Sequence, residues 1–146
     1  MKAIIDAVCE RLMDECKFLR QSTYDIGQLN EAWGESSRPP VAFPCALVSC
    51  EITRARELYP GVQECDADIS VTYAEIVAQG EVTDPYERIT KIYSALQSWY
   101  PVGDDGEPLC YPFDRARGRR INADRSGLYR YLITFRTAFE DRSAVT

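Results

Sequence analysis

The residues with most chemical potential are an arginine run, six cysteines and 23 carboxylates in a chain of 146 residues. Arg115, Arg117, Arg119, Arg120 and Arg125 form the run. Alternate arginines on an extended strand point one way, which suits phosphates or another subunit's carboxylates. No aromatic side chains for base stacking interleave the run, and the rest of the chain is acidic, which favours a subunit interface over nucleic acid. The cysteines at 9, 16, 45, 50, 65 and 110 form no CxxC pair and match no zinc or iron–sulfur spacing. They read as buried free thiols, and hence as folding in a reducing cytoplasm.

Other chemistry is sought and not found. With no histidine, the chain can build neither a Ser-His-Asp nor a Cys-His nucleophile, nor an imidazole zinc site. The phosphate-cradling GxxxxGK[ST] and GxGxxG loops and the GxSxG elbow are absent. The acidic segment Gly103-Asp104-Asp105-Gly106-Glu107-Pro108 lacks the alternating ligands and later bidentate Glu of a calcium loop. Neighbouring acids such as Asp66 and Asp68 are what 23 acids give by chance. No catalytic, metal or cofactor residue is assigned, and no enzyme is expected.

The elements that must position the charged residues follow from periodicity. Ile5, Val8, Cys9, Leu12, Cys16 and Leu19 recur at helical steps. From Tyr24 to Pro40 the period is lost, with Ile26, Leu29 and Trp33 expected to pin the connection to the core. Residues 41–52 read as a strand covered on both faces, with Pro44 marking an edge or bulge near its start. A polar loop through Pro60-Gly61 should lead to a second strand at 68–77, the two pairing as a hairpin. Asp84-Pro85-Tyr86-Glu87 is a helix start, followed by the stripe Ile89, Ile92, Tyr93, Leu96 and Trp99 or Tyr100, and closed by Pro101. A short exposed strand at 115–123, a turn at 124–127 and a strand at 128–139 complete the chain. In the last, Tyr129, Tyr131, Ile133, Phe135, Thr137 and Phe139 should face the core, while Arg130 and Arg136 meet solvent or another subunit.

The expected fold is therefore α+β, a single domain over 1–146 with an antiparallel or mixed sheet and two main helices on one face. At 45% hydrophobic and 27% charged the composition is that of a globular protein. No apolar run approaches the ~18 residues of a membrane span, and the N-terminus turns acidic too early for a signal peptide. Charge is lopsided: residues 1–108 carry 9 basic and 19 acidic groups, whereas 109–146 carry 8 arginines against Asp114, Asp124, Glu140 and Asp141. Such polarity suits head-to-tail contact between copies, although neutralisation within one monomer explains it equally well.

Four segments carry a resemblance: the N-terminal amphipathic helix, RPPVAFPCALV, DPYERITKIYSALQSW, and the closing LYRYLITFRTAFED. Together the layout resembles the tail terminator and tail-completion family of tailed bacteriophages. That resemblance implies a structural virion protein at the tail–neck junction, assembled in the host cytoplasm. Its ring, typically of six copies, caps the tail tube, ends its polymerisation and presents the head-joining surface. It further implies contacts with the tube protein and with neck or connector proteins. DNA would pass through the lumen without specific binding, repelled by a net charge of −36 on six copies. For the contact between subunits, the expected residues are Arg115, Arg117, Arg119, Arg120, Arg130 and Arg136 against Glu64, Asp66 and Asp68. The 53–65 and 101–113 loops are the expected contacts to tube or neck. The same fold serves head-completion connector rings, the first alternative; a small nucleic-acid-binding domain using residues 115–125 is the second.

Overall fold

The computed structural model describes residues 1–29, 40–77, 84–121 and 127–145. Helix α1 (Lys2–Glu15) buries Ile4, Val8 and Leu12 along one stripe. It ends a turn earlier than its apolar period, since Cys16 and Leu19 are buried just beyond it. Helix α2 (Pro85–Leu96) begins as its sequence requires: the Asp84 carboxylate accepts the Tyr86 N–H at 3.1 Å, and Pro85 occupies the first turn.

Among the described residues, five strands form one mixed sheet: β1 (Gln21–Tyr24), β2 (Cys45–Tyr59), β3 (Val62–Ile76), β4 (Asp114–Ile121) and β5 (Leu128–Asp141). Their order is β1-β2-β3-β5-β4, with β1 parallel to β2 and every other neighbouring pair antiparallel. Alternation along each strand sorts the residues. Ala46 and Val48, Ile69, Val71 and Tyr73, and Ile133 and Phe135 pack in one cluster with the buried stripes of both helices. Both helices thus cover one face, and the architecture is α+β. On the other face a smaller cluster joins Leu47, Ala74 and Leu128 to Leu29, Val41 and Phe43.

Several boundaries differ from the sequence reading, each for a physical reason. The expected 53–65 loop is strand: β2 and β3 run on and close through the two residues Pro60-Gly61. Its residues are polar because Glu51–Tyr59 lie exposed, so no apolar alternation marks them. The strand read as covered on both faces is covered only at its start, from Cys45 to Val48. Strand β1, four half-buried residues, was not expected; it lies between the first helix and the stretch read as irregular, which it meets only at Tyr24. Ile26 is exposed whereas Leu29 is buried; Trp33 lies outside the described residues, as do 122–126 with Arg125. Helix α2 ends at Leu96, not at Pro101. Trp99 leaves the helix stripe and stacks edge-on against Phe113, 5.7 Å between ring centres.

Residues 98–113 then serve the sheet directly. Ser98 donates to the Phe113 carbonyl, and Phe113 donates to that of Trp99. The Tyr111 N–H bonds the Ala138 carbonyl at 2.9 Å, and the Thr137 hydroxyl donates to the Tyr111 carbonyl at 2.6 Å. This segment takes over as the neighbour of β5 where β4 stops. It keeps Cys65, Cys110 and Phe139 buried beyond the helices.

Candidate assembly surface

The arginine run lies on β4, where Arg115, Arg117, Arg119 and Arg120 are all exposed. Strand β4 has β5 on one side and, among the described residues, no strand on the other. A bulge between Arg115 and Arg117 divides the run. Arg115 sits opposite Phe135 and Arg120 opposite Tyr131, both on the helix-covered face; Arg117 opposite Thr134 and Arg119 opposite Leu132 lie on the open face. The expected one-sided stripe is thereby corrected to two pairs, because one inserted residue reverses a strand's alternation.

The two pairs have different surroundings. On the helix side Arg115 stacks 3.9 Å above the ring centre of Tyr93, and Arg120 lies 5.4 Å from that of Tyr129. Such contacts contribute about 0.5–1 kcal/mol each and hold the guanidinium groups in place. Burial first of all pushes the Tyr129 phenol up to about 12, so it stays neutral beneath its arginine. Gly118, between them, has no side chain because the Tyr131 ring fills that space: a Cβ there would lie 2.9 Å from the Tyr131 hydroxyl. None of the four arginines forms an ion pair with a described carboxylate.

The acids of the expected contact share the open face at the far end of the sheet. Glu64 pairs with Arg56 at 2.9 Å. Asp66 lies opposite Arg54 on β2, and Asp68 lies between Glu51 on β2 and Arg136 on β5. These acids therefore already have arginines beside them in their own chain. An exposed pair of this kind contributes at most about 1 kcal/mol, so it can exchange partners when a second charged surface arrives. Arg136 is exposed as expected, but Arg130 is not. It is 7% exposed, in a hollow with Asp25, Leu29 and Leu47, because the Leu29–Phe43 cluster covers that end of the face.

Two segments read as separate contacts meet in one place. An open groove of about 430 Å³ is lined by Leu58 and Glu64 from the β2–β3 hairpin, by Tyr100 and 108–112, and by Ala138–Glu140 of β5. Its lining is mostly apolar, with Tyr111 68% exposed on its wall. The one sequence signal for this groove was the Pro60-Gly61 turn, since the polar stretches on either side give no strand pattern. The acidic 103–107 segment is a tight turn in which the Asp105 carboxylate accepts the Glu107 N–H. Among the described residues no group of three or more His, Cys, Asp or Glu is placed to hold a metal ion.

Compared with protein-family models and with curated proteins, the chain has no match.

Proposed function

We propose that this chain is a structural virion protein of a tailed phage, forming a ring that caps the tail tube and offers the head-joining surface. The observation that carries this reading is the charge arrangement: a strand with four exposed arginines, none of them in an ion pair among the described residues, on a molecule of net charge −6. A surface of one sign on a body of the other attracts a second copy head to tail, and repeated contacts of that kind close into a ring. The resemblance of the four segments to tail terminators supplies the ring's place, and the 430 Å³ groove is the surface we assign to the tube or neck protein. A neck connector ring differs from this only in which partner fills the groove.

Light scattering coupled to size exclusion, at low and high salt, tests the proposal, with negative-stain imaging of any large species. A ring of about six subunits that dissociates with salt is expected, since exposed charges more than ~10 Å apart are screened at 0.1 M. A monomer at every concentration, with or without purified tube protein, would overturn it. Tight, salt-sensitive binding of oligonucleotides that is lost in Arg117→Ala/Arg119→Ala would instead support the nucleic-acid reading.

A further inference from the structure

The sheet has a second open edge. Strand β1 covers β2 only from Cys45 to Val48, and among the described residues the last backbone bond on that side runs from the Asp25 N–H to the Val48 carbonyl at 2.9 Å. From Ser49 to Tyr59, no described strand lies beyond β2. Residues Glu51–Tyr59 are all exposed, Ile52, Leu58 and Tyr59 among them. On the far side of the molecule, no described strand lies beyond β4 from Ala116 to Ile121; the Arg115 N–H is taken by the Gln97 side chain at 2.8 Å. A long unpaired edge is a template for another strand, and a protein that keeps two must cover them.

The two edges match in direction and length. Because β2, β3, β5 and β4 alternate in direction, β4 runs opposite to β2. A copy set beside the first in the same orientation therefore brings its β4 antiparallel to β2, with the helices of both copies on one face. Strand β4 is 8 residues long and fits within Ser49–Tyr59. The free edge of β2 from Ser49 to Tyr59 carries Glu51 and Glu57 against Arg54 and Arg56, with Glu64, Asp66 and Asp68 one strand further in on β3.

We infer that β4 of one copy adds as a strand to the free edge of β2 in the next, so that a single sheet continues through the contact. The inference rests on the self-assembly reading above and specifies its joint. Main-chain bonds supply the attachment, as in strand addition generally. Arg117 and Arg119, on the open face, then stand beside the row Glu51, Arg54 and Arg56 of β2, with Asp66 and Asp68 one strand further in. The occupant is a second copy of this chain because no other strand need be supposed: each copy carries both halves of the joint.

Hydrogen–deuterium exchange on the full chain, assembled at low salt and dissociated at high salt, tests this. Amides in 49–59 and 116–121 should slow by about tenfold or more on assembly, while those of β1 should not change. An assembly that protects other segments and leaves these two unaltered overturns the strand-addition joint but keeps the ring. Absence of any assembly overturns both.

Discussion

Arg88 on α2 reaches the Glu75 carboxylate on β3 at 3.0 Å, where Glu75 is only 5% exposed. The same carboxylate oxygen accepts the Tyr73 hydroxyl at 3.0 Å, and Arg88 donates to that hydroxyl as well. Phe18 stacks below the guanidinium and meets Tyr73 edge-on. One cation thus holds a buried carboxylate and the segment after α1 against the sheet. Removing the cation strands the carboxylate, which is worse than removing both partners. Since Arg88 is partly exposed, Arg88→Met should cost about 2 kcal/mol, below the 3–5 of a fully buried pair. Arg88→Met/Glu75→Gln should cost less than Arg88→Met alone, by denaturant titration.

The hairpin turn depends on one backbone angle. Gly61 has φ +82°, and a Cβ there would lie 3.0 Å from the Ala144 carbonyl oxygen. Gly61→Ala meets both the left-handed penalty of about 1–2 kcal/mol and a backbone clash. The midpoint of unfolding should fall accordingly, and amides near residues 144–145 should exchange faster than in the parent.

Alkaline pH should destabilise the protein before it affects any charge on the assembly surface. Burial pushes Cys45 up to about 12 and Cys16 up to about 11, against 9.0 ordinarily. The unfolded thiols ionise first, so these groups cost nothing below pH 9 and stability is lost as pH rises through 9 toward their folded values. By pH 10 the fully buried Cys45 alone accounts for about 1.4 kcal/mol. Denaturation midpoints should be flat from pH 7 to 9 with respect to these thiols and fall beyond, less steeply in Cys45→Ala.

Thiol labelling should separate the cysteines into two groups. Cys9 and Cys50 are partly exposed, whereas Cys16, Cys45, Cys65 and Cys110 are buried, and all six are free. A thiol reagent at neutral pH should modify two sites in the native protein and the other four only at the rate of unfolding. Mass mapping that finds Cys45 or Cys16 labelled early would contradict the described packing.

Legibility in the sequence followed burial. The start of α2 was readable because Asp84 and Pro85 act locally, and β5 because Ile133, Phe135 and Phe139 alternate against a covered face. The outer half of the β2–β3 hairpin was not, since Glu51–Tyr59 have no helix above them and so no apolar period. Strand β1 is held by its parallel register with β2 rather than by any pattern in Gln21–Tyr24. For the candidate surface, the arginine strand and the exposure of Arg136 were legible. The bulge that splits the run was not, nor was the cover over Arg130, because both depend on how distant segments meet.

Strand β3 acquires its two neighbours at very different moments. β2 precedes it by a two-residue turn, so the hairpin closes over a minimal loop; β5 arrives only after residues 77–127. During synthesis the second edge of β3 waits for the ribosome to deliver residues 128–141. Non-local pairing of this kind is slow and leaves an adhesive edge in the interim. Nascent chains stalled before residue 128 should therefore be the species that chaperones bind, and the arrival of β5 closes that edge of β3.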